Sequence, residues 1–199
     1  MMEKYIELFK RYFDYKNLES FAAEIKEKGG LRESLAFVLL AQVFSFLGAA
    51  LGTVVGSFFN PELAELISVY GLLSFILMAI LGIPFFYIFS GAVYSLSTLL
   101  GGKGTFQGQS YALSIIGFAA GAAVLPVSIL SSVPVLELPV SIASLALVAY
   151  MIYAQFKTVK AVQQLSSLKA FAVVGVFWLA MLVVMTLIIM ATMPVPVPS

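Results

Sequence analysis

The distribution of the basic residues is the feature of this sequence that most constrains its fold. All eleven Lys and Arg residues lie outside five long apolar stretches. Seven of them fall in the first 34 residues, and the others are Lys103, Lys157, Lys160 and Lys169. If the five stretches cross a membrane in turn, every basic residue lies on the same side, and the side with the Lys/Arg excess is usually cytoplasmic. The sequence therefore predicts a cytoplasmic N-terminus and an external C-terminus.

The five apolar stretches define the predicted architecture. A helix needs roughly 20 apolar residues to bridge about 30 Å of hydrocarbon, and none of the stretches contains a charged residue. Hydrophobic residues make up 61% of the chain and charged residues 11%, a balance that suits a lipid solvent. We predict an all-α integral membrane protein, a five-transmembrane-helix bundle followed by a short external tail at 194–199. The predicted spans are about 35–59, 66–100, 110–132, 138–156 and 170–193.

The second stretch, 66–100, is long enough for one long helix or two short ones. No polar turn interrupts it near Pro84, and a split would move Lys103 and the later lysines to opposite sides of the membrane. One long helix is therefore predicted. We expect a bend near Pro84, because proline removes one hydrogen bond and crowds a carbonyl of the preceding turn. Asn60-Pro61-Glu62 resembles a helix start.

Residues 1–34 are predicted to form a separate cytoplasmic or interfacial element of two amphipathic helices. Wound as a helix, residues 3–15 place apolar side chains on one half and charged side chains on the other, as in helices that lie in the headgroup plane. The predicted interfacial anchor of that helix consists of the aromatic residues Tyr5, Phe9, Tyr12 and Phe13. The second helix is predicted from Leu18, Phe21, Ala22 and Ile25, and Gly29-Gly30 is expected to end it. Packing against the bundle, anchoring to the membrane surface and docking of a partner all remain open for this element.

Small residues are expected to hold the bundle together, because lipid is as apolar as leucine and cohesion depends on close backbone contact. The first stretch contains Gly48, Gly52 and Gly56 at four-residue spacing, and the third contains Gly117 and Gly121. These two small-residue faces are predicted to pack together within one molecule. A homodimer seam or a lipid groove is the functional alternative.

The side chains that carry most enzyme chemistry are absent from the sequence. It has no His and no Cys, which excludes a Ser–His dyad, a Cys–His pair and imidazole or thiolate metal ligands. The absence of ionisable residues within the stretches argues against proton or ion coupling. Polar residues inside the stretches, among them Gln42, Ser90 and Ser114, are expected to bond between helices. We predict no enzyme activity and no cofactor, and the net charge of +1 indicates no nucleic-acid partner.

The charged groups between the stretches suggest only weak sites. The sequence Gly-Gly-Lys-Gly-Thr at 101–105 lacks the spacing of a phosphate-binding loop, so a tight cytoplasmic turn near lipid phosphates is predicted. Glu62, Glu65 and Glu137 share the external side and could converge on a cation, although surface acids are more often simply solvated. The residues predicted to lie in cytoplasmic loops are Lys103, Thr105, Phe106, Lys157, Lys160 and Lys169.

Several short motifs follow one another in a recognisable layout. An amphipathic element at 13–27 leads through Gly29-Gly30-Leu31 into the first stretch. Gly-Gly-Lys-Gly-Thr-Phe at 101–106 precedes Ser-Tyr-Ala-Leu-Ser at 110–114, and the last loop, 159–169, runs into the fifth stretch. This layout resembles the Yip domain family, five-span membrane proteins named for their interaction with Ypt/Rab GTPases.

The resemblance implies five helices and a cytoplasmic N-terminus, in agreement with the charge distribution. Eukaryotic members act in early secretory trafficking, bind prenylated small GTPases and form complexes with relatives, so a small GTPase partner is implied by analogy. The Asp-Leu-Tyr-Gly-Pro signature of their longer N-terminal region is absent from this sequence. The chain therefore resembles a compact prokaryotic-type member.

Two functions from different classes follow from the sequence. The first is a non-catalytic scaffold or adaptor in the cell membrane, which acts through membrane lipids, other membrane proteins or further copies of itself. The second is a small transporter, channel or lipid-translocating protein without ion coupling. The absence of charge within the spans favours the scaffold, but a lipid groove would need only an apolar path.

Overall fold

The computed structural model describes residues 2–14, 16–60 and 62–192, with side chains described at 6–14, 16–60, 77, 80–184, 186–187 and 190. The described chain is helical, with a single short 3-10 turn at Pro134–Leu136. The helices are α1 (Met2–Phe13), α2 (Leu18–Ile25), α3 (Leu31–Ser57), α4 (Glu62–Leu99), α5 (Phe106–Ser131), α6 (Glu137–Gln163) and α7 (Ser167–Thr192).

Helices α3 to α7 confirm the predicted architecture, because all five are long and apolar enough to span a membrane. The stretch at 66–100 is one helix, α4, which is continuous through Pro84. Several boundaries differ from the predicted spans: α6 continues to Gln163 and α7 already begins at Ser167. The reason is physical. Apolar composition marks the part of a helix inside hydrocarbon, whereas backbone hydrogen bonding continues the helix into the headgroup region.

Helix α5 lies at the centre of the bundle and contacts α3, α4 and α6. Its residues from Gly108 to Gly121 are buried, with Gly117 the one partly exposed position among them. This segment is rich in Gly, Ala and Ser, and such residues allow neighbouring helices to approach closely. Helices α6 and α7 lie further out, with large apolar side chains on their surfaces.

One end of the bundle carries all the Lys and Arg residues, and we call it the basal face. It comprises α1, α2, the starts of α3, α5 and α7, and the ends of α4 and α6. Hydrogen bonds join these ends: the Tyr87 hydroxyl donates to the Leu31 carbonyl (3.0 Å), and Lys169 Nζ donates to the Leu100 carbonyl (2.8 Å). All eleven Lys and Arg residues belong to segments of this face, as the charge pattern predicted.

The two N-terminal helices lie against the basal ends of α5 and α6. The four residues that predicted α2 are its buried residues, Leu18, Phe21, Ala22 and Ile25. Gly29-Gly30 does not end this helix, because α2 stops at Ile25 and a turn follows. Gly29 has a different role: a Cβ there would lie 2.4 Å from the Tyr111 ring, so glycine allows the linker to cross that ring.

Candidate functional site

Helix α1 is held on the bundle through aromatic side chains. Tyr12 is 1% exposed, its ring meets that of Tyr150 edge-on at 5.5 Å, and the Tyr150 hydroxyl donates a hydrogen bond to the Tyr12 carbonyl. Phe9 is half-buried, whereas Phe13 stacks on Tyr150 at 5.5 Å but remains 38% exposed. The side chain of Tyr5 lies outside the described residues. Of the three possibilities left open by the sequence, the described contacts correspond to packing against the bundle.

Burial leaves Tyr12 with an unusual polar group. Among the described residues, its hydroxyl is the one buried side-chain oxygen or nitrogen without a hydrogen-bond partner. Burial away from water raises the pKa of Tyr12 well above its ordinary value, because the phenolate would lose its hydration. The ring is therefore the part of Tyr12 that stabilises docking, and the hydroxyl costs desolvation free energy.

Helix α2 is tied to α6 by ion pairs. Glu19 accepts from Lys160 at 2.8 Å and from Lys157 at 3.2 Å. The hydrogen bond from Lys160 is the main reason that the pKa of Glu19 lies below its ordinary value. Both lysines lie in the last turns of α6 and not in a loop as predicted, because the helix continues past the apolar stretch. Lys169 likewise lies in the first turn of α7.

The 101–105 segment forms a tight turn that folds around Gln163. The Lys103 amide donates to the Gln163 carbonyl (2.9 Å), and the Gly104 amide donates to the Gln163 side-chain oxygen (3.1 Å). Glycine is needed here because a Cβ at Gly104 would stand 2.5 Å from the Val162 carbonyl oxygen. Thr105 caps α5 by accepting from the Gly108 amide (3.1 Å). The predicted turn residues therefore form a structural connection between α4, α5 and α6.

The other two residues predicted for this loop differ in their surroundings. The Lys103 side chain is exposed at the basal face. Phe106 is the first residue of α5, and its ring meets the Tyr94 ring at 5.8 Å. Phe106 thus joins α5 to α4, and Lys103 remains the exposed cation of the turn.

A chain of fully buried polar side chains lies beneath this turn, and we call it the buried polar network. Gln163 Nε2 donates to Gln109 Oε1 at 2.5 Å, and Gln109 Nε2 donates to the Ser90 carbonyl at 3.1 Å. The Ser90 and Ser110 hydroxyls lie 2.7 Å apart, and the Ser34 hydroxyl donates to the Ser110 carbonyl at 3.2 Å. The network joins α3, α4, α5 and α6. It strengthens the basal end, because hydrogen bonds are stronger where water is excluded.

Sequence reasoning identified only part of this network. Ser90 was expected to bond between helices, but Gln109 and Gln163 were not singled out, because both lie outside or at the edge of the apolar stretches. The available signal was their position, since each glutamine lies within one turn of a helix end. A glutamine that faces inward at such a position can satisfy the backbone groups of the neighbouring turn.

The glycines of α3 and α5 occupy different environments. A Cβ at Gly48 would stand 2.9 Å from the Leu125 Cα, and one at Gly52 would stand 2.6 Å from the Ser128 carbonyl oxygen. A Cβ at Gly121 would stand 2.8 Å from the Ala41 carbonyl oxygen. Gly56 is buried at the outer end of α3. Gly117 differs from its predicted place in the seam, because a Cβ there would meet no atom within 4 Å.

The space beside Gly117 is an apolar cavity of about 380 Å³ in the middle of the bundle. Polar side chains contribute little to its wall; one of them, Gln155, accepts a hydrogen bond from the Trp178 ring nitrogen (2.9 Å). All five spanning helices contribute to the lining, which includes Val38, Gln42, Gly82, Phe86, Phe89, Ser114, Gly117, Met151, Phe177, Trp178 and Met181. The cavity was not predicted, because it depends on how large and small side chains from five helices face one another.

The family model of the Yip1 domain matches residues 16–188. The protein belongs to the Yip1 domain family. The match extends from the residues before α2 into the second half of α7, and so includes all five spans, the 101–105 turn and the cavity. The resemblance seen in the sequence is thereby confirmed. Neither the curated proteins nor the solved structures gave a match.

Within the described part of the chain, no group of three or more Asp or Glu side chains is placed to hold a metal ion. Glu137 is exposed, and the side chains of Glu62 and Glu65 lie outside the described residues. The features that can bind another molecule are the charged basal face and the apolar cavity.

Proposed function

We propose that this Yip1-domain protein is a non-catalytic scaffold or adaptor of the cell membrane. The observation that carries the proposal is the attachment of α1 and α2 to α6, of α1 through Tyr12 and Tyr150 at the middle of α6, and of α2 through the Glu19 ion pairs near its end. Such attachment keeps a charged, solvent-facing surface at a fixed place beside the spans. A surface held in this way loses little conformational entropy when a partner binds, which favours association.

The proposal places the basal face in the cytoplasm, because the Lys/Arg excess lies there. The protein has no Cys, so single cysteines report orientation directly. Lys103→Cys marks the basal face, and Val135→Cys marks the opposite end, where Val135 is 82% exposed. A membrane-impermeant maleimide added to intact cells should label Val135→Cys and leave Lys103→Cys unlabelled until the cells are opened. The reverse pattern would contradict this orientation.

The partners of such a scaffold are other membrane proteins or further copies of this chain, which meet the exposed side of α2. A photo-crosslinking residue at Ala23, which is exposed on α2, should give discrete adducts in cells. The matched position is Ala143, exposed near the outer end of α6, which should not give them. Tyr12→Asp places a charge against Tyr150 and should undock α1. Loss of the Ala23 adducts in that variant supports the proposal, whereas adducts that are equal at both positions or insensitive to Tyr12→Asp argue against it.

A lipid-translocating protein is the second candidate, and the apolar cavity is the observation that favours it. The two functions differ in a reconstituted system. Liposomes that contain the purified protein and a fluorescent phospholipid should show the same fraction protected from dithionite as protein-free liposomes if the protein is a scaffold. Rapid loss of the protected fraction would favour translocation.

A further inference from the structure

The central cavity continues into a groove on the lipid-facing side of the bundle, between α3 and α4. Cavity and groove share three lining residues, Gln42, Gly82 and Phe85. The remaining groove residues that are both large and apolar face outward: Leu77 is 48%, Leu81 63% and Ile88 70% exposed. Side chains of this kind on a spanning helix contact lipid tails. This gap therefore connects the cavity to the hydrocarbon of the membrane, and not to water on either side.

The depth of the gap supports the same conclusion. Gln42, Gly117 and Trp178 each lie eleven residues from the basal start of their helix. At a rise of 1.5 Å per residue this places them about 16 Å from the basal face, near the middle of a hydrocarbon core that is about 30 Å thick. The molecules that surround the gap at this depth are acyl chains.

The flexible side chain of Gln42 lies where the groove meets the cavity. A Cβ at Gly82 would lie 2.4 Å from Gln42 Nε2, so the Gln42 amide crosses α4 where that helix has no side chain. The atoms nearest to Gly82 are the far end of a flexible side chain and not backbone, so they can move aside at low cost.

We propose that the cavity binds the acyl chain of a membrane lipid, which enters between α3 and α4 past Gln42 and Gly82. The volume of about 380 Å³ lies within the usual range of ligand pockets. Met151 and Met181 in the wall adapt to a flexible occupant. An apolar cavity of this size is also poor in partners for water, which needs two to four polar groups. The proposal does not depend on the scaffold function, because it concerns a ligand inside the bundle and not a partner at the basal face.

The chain contains a built-in reporter for this site, since Trp178 is its only tryptophan and lines the cavity. The protein is reconstituted in phosphatidylcholine vesicles with or without bromine at carbons 9 and 10 of the acyl chains, and quenching of Trp178 fluorescence is measured. Gly117→Leu places a side chain in the cavity without a backbone clash, because a Cβ there meets nothing within 4 Å. Gly175→Leu is the matched control: its Cβ is equally unobstructed, but Gly175 is exposed on the outside of α7.

Quenching by brominated chains should be strong in the unmodified protein and roughly twofold weaker in Gly117→Leu, because the added carbon atoms occupy the space of the chain. Gly175→Leu should quench like the unmodified protein. Equal quenching in all three proteins, or a decrease in Gly175→Leu alone, would show that bromine reaches Trp178 only from outside and would overturn the proposal.

A second measurement covers the case in which Gly117→Leu does not fold. Native mass spectrometry of the unmodified protein, after exchange into a detergent that removes loosely bound lipid, should detect one retained phospholipid per chain. Retention together with strong quenching supports the site. A chain that is free of lipid and shows no quenching by the brominated vesicles overturns it.

Discussion

Helices α5 and α7 are equally apolar but occupy different places in the molecule. Both contain 26 residues, and their candidate spans have the same mean hydropathy. Within an apolar window of 18 residues in each span, 44% of the α5 residues are buried in the bundle and only 17% of the α7 residues. Helix α5 is rich in Gly, Ala and Ser and has one buried glutamine, whereas α7 carries exposed residues such as Leu179 and Leu182.

The comparison separates two properties that hydropathy combines. Apolar composition favours insertion of a helix into the membrane, where lipid and protein are equally apolar environments for a leucine. Side-chain size then determines position in the bundle, because only small residues permit close backbone contact and the dispersion attraction that it brings. The predictions that follow test this distinction, from the largest expected effect to the smallest.

Enlarging the centre of α5 should have the largest effect. Gly121→Leu forces α3 and α5 apart, because the first added carbon would already stand 2.8 Å from the Ala41 carbonyl oxygen. We expect a loss of about 3 kcal/mol or more in unfolding free energy, at the upper end for overpacking. Gly52→Leu, on the opposite side of the same seam, should behave alike. Thermal unfolding in detergent measures both.

Enlarging residues of α7 in the same way provides the control for the α5 and α3 variants. Gly175→Leu and Leu182→Phe enlarge positions that face outward, so they should leave the unfolding temperature nearly unchanged. Equal, small shifts for Gly52, Gly121 and the α7 variants would show that side-chain size does not determine the place of α5.

Removal of one member of the buried polar network should be the next largest effect. Gln109→Leu leaves the Gln163 side-chain nitrogen without its acceptor and the Ser90 carbonyl without its donor. An unsatisfied buried polar group costs about 1–3 kcal/mol. Gln107→Leu is the control, since Gln107 is exposed in the same turn of α5. Similar stability of the two variants in chemical denaturation would mean that the network adds nothing to the basal end.

The two tyrosines that dock α1 should respond differently to loss of a hydroxyl. Tyr150→Phe removes the hydrogen bond to the Tyr12 carbonyl and should cost about 0.5–1.5 kcal/mol. Tyr12→Phe removes a buried hydroxyl without a partner among the described residues, so it should be neutral or stabilising. Amide exchange along α1 reports both variants. Destabilisation by Tyr12→Phe would mean that its hydroxyl is bonded in the membrane-embedded protein.

The smallest effect on stability is expected from lowering the pH, which acts on the ion pairs at the edge of the basal face. The pKa of Glu19 is lowered in the folded protein, so the stabilisation by its ion pairs is present above the ordinary pKa of 4.5 and is lost as the pH falls below it through the folded value. Amide exchange in α2 should therefore become faster between pH 5 and strongly acidic pH, by a modest factor because the pair is partly exposed to solvent.

Glu24 titrates in the same range, because hydrogen bonds from Arg11 and Lys28 lower its pKa to about 2. A Glu19→Gln variant separates Glu19 from the other acids, since its remaining acid dependence belongs to Glu24 and to Asp14, whose pKa is lowered by the hydrogen bond from the Asn17 side chain. If acid changes α2 equally in Glu19→Gln and in the unmodified protein, Glu19 does not link α2 to α6.

The sequence predicted the elements better than it predicted their contacts. The four buried residues of α2 and the continuity of α4 followed from periodicity and from the charge distribution. The bend expected at Pro84 remains a prediction. Gly117 illustrates the limit: it shares spacing and composition with Gly121, yet one faces a cavity and the other touches α3. Four residues on a helix correspond to 400°, so two such glycines differ in direction by about 40°, and neighbouring helices decide what each one meets.

Two properties of this protein are determined by its sequence alone. Five uncharged stretches of sufficient length require membrane-spanning helices, since every backbone polar group in hydrocarbon must be satisfied within its own segment. The placement of eleven basic residues outside them gathers these residues at one end of the bundle. Both properties are local: they depend on the transfer of each residue between water and lipid.

The tertiary structure alone decided the rest. It put α5 at the centre, joined Gln109 to Gln163 across 54 positions of the chain, and left a cavity beside Trp178. These features depend on which side chains from different helices meet, and in an apolar solvent that choice rests on shape and hydrogen bonding, which a linear pattern of hydropathy does not contain.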